Sequence, residues 1–228
     1  MKTLLQNPAH WAVGAVAGSV LASLCALYSP HAHATGLVYE TMPNDSQTLQ
    51  KSPGPTEWQQ LFNEELTGSA TPVQRKLTIV NDFWNSLHQV TDERLYGQAD
   101  VWTTPFETLK MGAGDCEDMA IGKYFSLVKA GVNEDRLRIA HVSHYRYGAH
   151  MVVLFTDDAK QQWVLDSLSP NIKTLENRSD LNLVYSLNRK ALVTAKYPQY
   201  QADPMRLTKW AGLMARIRPE EQGDVRTP

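Results

Sequence analysis

The chain has 228 residues, 43% of them hydrophobic, and 22 basic against 24 acidic side chains leave a formal charge of −2. That near-balance, with no basic stripe interleaved with aromatics, argues against a nucleic-acid-binding surface. Two cysteines, Cys25 and Cys116, are too few for a disulfide framework.

The first segment, MKTLLQNPAHWAVGAVAGSVLASLCALYSPHAHATG, places one lysine before an apolar run from Trp11 to Leu27. Ser29-Pro30 ends the run, and Ala32-His33-Ala34 supplies a small-x-small site. This order is that of a secretory signal peptide over 1–34, cleaved after Ala34. A retained anchor is the alternative, but Gly14, Gly18 and Ser23 interrupt the run, which is short for a span. Bulky Leu24 argues against lipid attachment at Cys25. Cleavage leaves about 190 residues, enough for one domain with its own core. It removes Lys2, taking the formal charge to −3. Cys116 is then the lone cysteine of an exported protein. As a small buried hydrophobe it needs no further role. As an unpaired thiol in an oxidising compartment, it calls for one.

Residues 35–56 read as an extended lead-in, because Thr41 to Thr56 is polar and proline-rich. Trp58, Leu61, Phe62 and Leu66 predict a short amphipathic helix. Pro72 opens a second, in which Val73, Leu77, Val80, Trp84 and Leu87 recur at helical spacing. Gly97 to Pro105 reads as loop. A long helix is expected from Cys116, with Ala120, Tyr124 and Val128 on the same face and Gly131 as its stop. The period then changes. Leu137–Val142 and Ala149–Phe155 read as strands, 156–161 as a turn, and Gln162–Asp166 as the returning strand. Asp203-Pro204 caps a last helix with Met205, Trp210, Leu213, Met214 and Ile217 as its apolar positions, and 219–228 reads as a loose tail. Helices followed by an antiparallel sheet make an α+β fold.

A turn centred near Asp158 puts His150 opposite Asp166 or Ser167, with Cβ atoms roughly 4.5–5.5 Å apart. An imidazole held by a carboxylate has its tautomer fixed and its charged form steadied. Cys116 at a helix start gains from the positive end of the helix dipole, which lowers a thiol's pKa. Nucleophile, base and orienter then follow in chain order. Against this stands the local sequence GAGDCEDMA (Gly112–Ala120), which surrounds the thiol with Asp115, Glu117 and Asp118. Negative charge holds a thiol protonated. The metal-free account of these acids is a capping box, with Asp115 as N-cap and Asp118 reaching back from the third helical position. His141, alternating with Ile139, reads as a satisfied face residue. His144 precedes a hairpin loop, and Trp102 lies in the loop leading to Cys116, where it would line a substrate cleft. Asp157 and Asp158 read as turn residues.

The segments VWTTPFETL (Val101–Leu109), GDCEDMAIGKYFSLVKAGV (Gly114–Val132), RIAHV (Arg138–Val142), AHMVVL (Ala149–Leu154) and WVLDSLSPNI (Trp163–Ile172) resemble the bacterial transglutaminase-like cysteine proteinases. The resemblance implies a papain-like, transglutaminase-like domain over 57–218, with the nucleophile at the N-terminus of a helix packed on an antiparallel sheet. It implies a Cys116-His150-Asp166 triad and a calcium requirement mapping onto Asp115 and Glu117. Asp118 is either a further ligand or only a cap. It further implies a periplasmic endopeptidase that cuts the N-terminal region of a large surface adhesin and promotes biofilm dispersal. The implied partner is an inner-membrane cyclic-di-GMP receptor whose periplasmic domain sequesters the protease. Two other readings share these residues: a transglutaminase-type acyl transferase and a non-catalytic receptor-binding module.

Overall fold

Pro55 pre-sets the first turn of α1 (Pro55–Leu61), which runs on into a single π-helical turn over Phe62–Leu66. Trp58, Phe62 and Leu66 are buried along it, as their spacing predicts. The computed structural model describes residues 52–68 and 70–221. The signal peptide expected over 1–34, most of the lead-in and residues 222–228 of the tail expected over 219–228 lie outside the described residues, while 219–221 continue the last helix.

Pro72 is the N-cap of α2 (Val73–Asn85). Four short elements follow: β1 (His88–Gln89), α3 (Asp92–Tyr96), α4 (Pro105–Met111) and β2 (Ala113–Gly114). Then comes α5 (Cys116–Lys129), the long helix the sequence predicts. Where α2 meets α5, Trp84 lies flat against Gly122. A Cβ at residue 122 would come within 2.3 Å of the indole, so only glycine admits this contact. One turn on, Trp84 Nε1 donates to Ser126 Oγ at 2.9 Å. Two small residues on α5 thus let a fully buried tryptophan lock the helices together.

Seven strands form the sheet: β3 (Leu137–His144), β4 (Gly148–Thr156), β5 (Gln162–Asp166), β6 (Ser169–Thr174), β7 (Leu181–Leu187), β8 (Leu192–Thr194) and β9 (Tyr197–Ala202). Their spatial order is β6-β5-β4-β3-β7-β8-β9, antiparallel throughout. On one face Ala140, Val142, Val152, Leu154, Val164 and Leu181 make a hydrophobic cluster. His150 lies opposite Val142 and therefore shares that face. Helix α6 (Thr208–Glu221) closes the domain, with Trp210, Leu213, Met214 and Ile217 buried. Met205, expected among them, falls instead in a 3-10 turn (Pro204–Arg206) and is exposed. Asp203 caps this turn, with Pro204 at its first position, and not the helix, so the helical period starts later. The fold is α+β, mixed helices and an antiparallel sheet, as expected.

Candidate active site

The glycine turn before Cys116 has a specific geometry. Gly112 ends α4 at φ +67°, a left-handed conformation that suits glycine. Parallel pairing of β1 with β2 then carries the chain to Asp115. Asp115 is the N-cap of α5: its Oδ1 accepts from Glu117 N at 3.3 Å, while Asp118 Oδ2 accepts from Asp115 N at 3.4 Å. The capping box is therefore real, but it accounts for only part of the acid. Asp118 is fully buried, and its other oxygen accepts from Thr103 N at 2.9 Å and Thr103 Oγ1 at 2.7 Å. It thereby ties the 97–104 loop to the helix start.

Asp92 joins from α3. It is buried, its Oδ2 accepts from Val101 N, and its Oδ1 has no partner among the described residues. Oxygens of Asp92, Asp115 and Asp118 lie within 4.8 Å of one another, and a second such group joins Asp115, Cys116 and Glu117. Burial, then mutual repulsion, pushes these carboxyls up. Asp118 rises to about 7 even though Thr103 opposes the shift. Desolvation followed by the charge of Glu117 raises Asp115, and desolvation raises Asp92. Several buried acids converging around an orphaned oxygen form a donor set of the hard kind that suits an oxygen-seeking cation.

Cys116 begins α5 and is partly exposed. Its thiol donates to Glu117 Oε2 at 3.1 Å. Desolvation, then Glu117 and Asp115, hold the thiol well above its ordinary pKa, and a hydrogen bond from Met151 N–H works the other way. That bond puts the sulfur beside the residue that follows His150.

His150 and Asp166 are both buried, and His150 Nε2 meets Asp166 Oδ1 at 2.6 Å. The register differs from the expected one. Val153 pairs with Leu165 and Thr156 with Gln162, so the turn centres near Ala159, and Asp166 sits diagonally from His150, not opposite it. Diagonal neighbours share a face and remain within side-chain reach. An irregularity between Val164 and Asp166 further frees the end of β5. Asp166 Oδ1 also accepts from Leu168 N at 2.9 Å, and Oδ2 accepts from Arg178 Nη2 at 2.7 Å. Burial alone would raise this carboxyl. The bonds from His150, Leu168 and Arg178 outweigh it and hold the group well below the usual range.

A family model of the bacterial transglutaminase-like cysteine proteinases matches residues 56–186. The chain belongs to this family. Among solved structures, EGTA-treated LapG of Legionella pneumophila is 39% identical, with a TM-score of 0.64 over 71% of this chain and 86% of that one. A second LapG structure from the same organism is also 39% identical, with a TM-score of 0.63 over 71% and 84%. Its calcium-bound form is 38% identical, with a TM-score of 0.62 over 71% and 88%. No curated protein sequence matches the chain.

The remaining residues of this cysteine proteinase have more local roles. Trp102 is buried, donates from Nε1 to Asp100 Oδ1 at 3.1 Å, and walls a cavity of about 750 Å³ with Tyr96, Met111 and Arg216. His141 stacks on Tyr185, ring centroids 5.0 Å apart. His144 closes its own hairpin by accepting from Arg146 N and Tyr147 N at 3.1 and 3.2 Å. Sequence reasoning missed Asp92, Thr103 and Arg178. The stretch Thr104-Pro105-Phe106-Glu107 did carry a signal, since it is a capping box with proline at the first helical position, and it starts α4. Asp92 and Arg178 carry none, because only tertiary folding brings them in.

Proposed function

We propose that the chain is a periplasmic, calcium-dependent cysteine endopeptidase that cuts the N-terminal region of a large surface adhesin, releasing it and promoting biofilm dispersal. An inner-membrane cyclic-di-GMP receptor is the partner that sequesters it. The observation that carries the reading is the buried His150–Asp166 pair beside a helix-start cysteine, within a family of cysteine proteinases.

In this reading Cys116 Sγ attacks the scissile carbonyl carbon. Its proton passes to His150, whose Nδ1 is the nitrogen left over once Nε2 is committed to Asp166. The Cys116 backbone N–H, at the positive end of α5, faces the developing oxyanion. His150 then protonates the departing amine, leaving a thioester on Cys116. Water adds to the thioester, giving its proton to His150, and the thiol is regenerated as the new carboxyl leaves. Asp166 holds the ring's orientation and steadies its charge throughout.

Asp92, Asp115, Glu117 and Asp118 are the residues that would hold calcium, a hard cation that takes carboxylate oxygens. The orphaned Oδ1 of Asp92 and the raised carboxyls of Asp115 and Asp118 support the fit, as does a relative solved in calcium-bound form. When bound, the ion supplies positive charge that offsets the acids around the thiol. Glu117, whose Oε2 accepts from the thiol at 3.1 Å, would be the ligand that joins the ion to the nucleophile's surroundings.

The test is incubation of the purified protein with the N-terminal region of a candidate adhesin, in calcium and in excess EGTA. Cleavage in calcium, lost in EGTA and in Cys116→Ala, is expected. Undiminished cleavage in EGTA would remove the calcium requirement, and cleavage by Cys116→Ala would remove the nucleophile. Incorporation of a labelled amine without chain scission would favour an acyl transferase instead.

A further inference from the structure

Asp166 is bound on both oxygens, and the group on the second is unusual for a catalytic carboxylate. Arg178 is itself buried and reaches Asp166 Oδ2 at 2.7 Å. It arrives because a 3-10 turn over Leu175–Asn177 folds the β6–β7 connection back on the sheet. Asp180 clamps the guanidinium from the other side: Arg178 Nε donates to Oδ1 at 2.8 Å and Nη2 to Oδ2 at 2.7 Å. Asp180 also faces His144 Nε2 at 3.2 Å. The result is a hydrogen-bonded row, His150–Asp166–Arg178–Asp180–His144, of which triad chemistry requires only the first two members.

A cation on the far oxygen does two things. It fixes the plane of the Asp166 carboxylate, so that Oδ1 faces the imidazole. It also shares the carboxylate's charge. An uncompensated buried carboxylate stabilises the protonated ring strongly, which makes the ring a reluctant acid and an already-protonated base. A carboxylate split between an imidazole and a guanidinium stabilises it less. Other charged or titratable groups also face this row. Lys123 from α5 acts on Asp166, His141 and His144 on β3 lie near His150, and Cys116 from α5 meets the backbone of the next residue, Met151. None of these donates a hydrogen bond to Asp166.

We propose that Arg178 is a positioning residue that sets how strongly Asp166 holds the proton on His150, and that Asp180 sets how much of Arg178's charge reaches that pair. The inference rests on the catalytic reading of His150 and Asp166. It has a signature that mere packing lacks, because the two neighbours of Asp166 act with opposite sign. Removing Arg178 strips a positive charge and leaves Asp166 undiluted. Removing the charge of Asp180 frees Arg178 for Asp166 and deletes a negative charge.

The experiment follows the His150 imidazole by NMR titration in the purified, calcium-loaded protein, with its signals assigned by their loss in His150→Gln. Arg178→Gln should move the titration midpoint up by about one pH unit, and Asp180→Asn should move it down by about half a unit. Arg178→Lys should restore most of the midpoint while kcat stays low, since an ammonium keeps the charge but not the planar fork. An unmoved midpoint in Arg178→Gln, or shifts of the same sign in both variants, would overturn the proposal. If Arg178→Gln does not fold, the direction of the Asp180→Asn shift decides alone. The two levels remain separable. An inactive His150→Ala with no midpoint shift in the row variants removes only the role of Arg178. A fully active His150→Ala removes the catalytic reading itself.

Discussion

Asp166, Asp92 and Asp118 are buried and Asp115 is half-buried, yet the fold treats Asp166 and the trio Asp92, Asp115 and Asp118 in opposite ways. Asp166 receives His150, Arg178 and a backbone N–H, and stays charged well below the ordinary carboxylate range. The trio receives a few neutral donors and one another's charge, and its carboxyls rise. One half of the site is complete from the chain's own residues. The other half is short of positive charge beside the Cys116 thiol. Burial alone therefore does not tell a structural carboxylate from one waiting for a cation. The net direction of the shift and the donors each carboxylate receives separate the two groups here.

Substitutions of Cys116 and of the completed half should have the largest effects. Cys116→Ala and His150→Ala should each lower kcat/KM by about 10⁵-fold or more, with Cys116→Ala leaving the melting temperature nearly unchanged. Asp166→Asn should lower kcat by about 10⁴-fold, and by leaving Arg178 short of its partner should destabilise the fold by about 3–5 kcal/mol. Denaturant titration of each variant separates the two effects.

Lys123 sharpens the comparison from a third side. It is buried on α5, its Nζ has no hydrogen-bond partner among the described residues, and burial lowers its pKa to about 7 although Asp166 and Asp82 pull upward. Its folded pKa is thus below its unfolded value of about 10.5. Between pH 7 and 10.5 the unfolded chain binds the extra proton, so this lysine's contribution makes stability rise with pH across that window. Lys123→Met should remove that rise and stabilise the protein by about 1–4 kcal/mol at pH 7. Denaturation curves from pH 7 to 9.5 measure both.

The smallest effect has the most informative sign. Asp92→Asn removes an uncompensated charge, keeps an acceptor for Val101 N, and should stabilise the calcium-free protein by about 1 kcal/mol, some 2–4 °C in melting temperature. The same variant should need more calcium to regain activity. Neutralising a carboxylate would then stabilise one half of the site and destabilise the other. Destabilisation of Asp92→Asn in EGTA would show that the trio is satisfied without an ion.

What the sequence made legible follows from the range of each interaction. The start of α5 is local: an N-cap, its reciprocal acid three residues on, and a glycine stop all lie within one stretch, so Cys116 could be placed at the first turn. The His150–Asp166 pairing is encoded by strand alternation, and it survives a register offset because diagonal neighbours still share a face. Asp92 lies far from Cys116 in the chain and arrives only through the 97–104 loop that Thr103 and Val101 tether. Arg178 depends on a 3-10 turn that no periodicity announces. Strands β7 to β9 escaped for a different reason. β9 is the open edge of the sheet and almost wholly exposed, so no buried face imposes alternation on its residues, while β7 lies inside the sheet but is buried only at Leu181, Ser186 and Leu187, which do not alternate.

The most direct measurement is the alkylation rate of Cys116 by iodoacetamide, read by mass spectrometry at pH 7 in calcium and in EGTA. It needs no substrate and reports the reactivity of the thiol, its thiolate fraction together with its access. Calcium should accelerate the reaction at least tenfold in the wild-type protein, and most of that gain should vanish in His150→Ala. Equal rates with and without calcium, or faster labelling in EGTA, would contradict the claim that a cation completes the half of the site that carries the nucleophile.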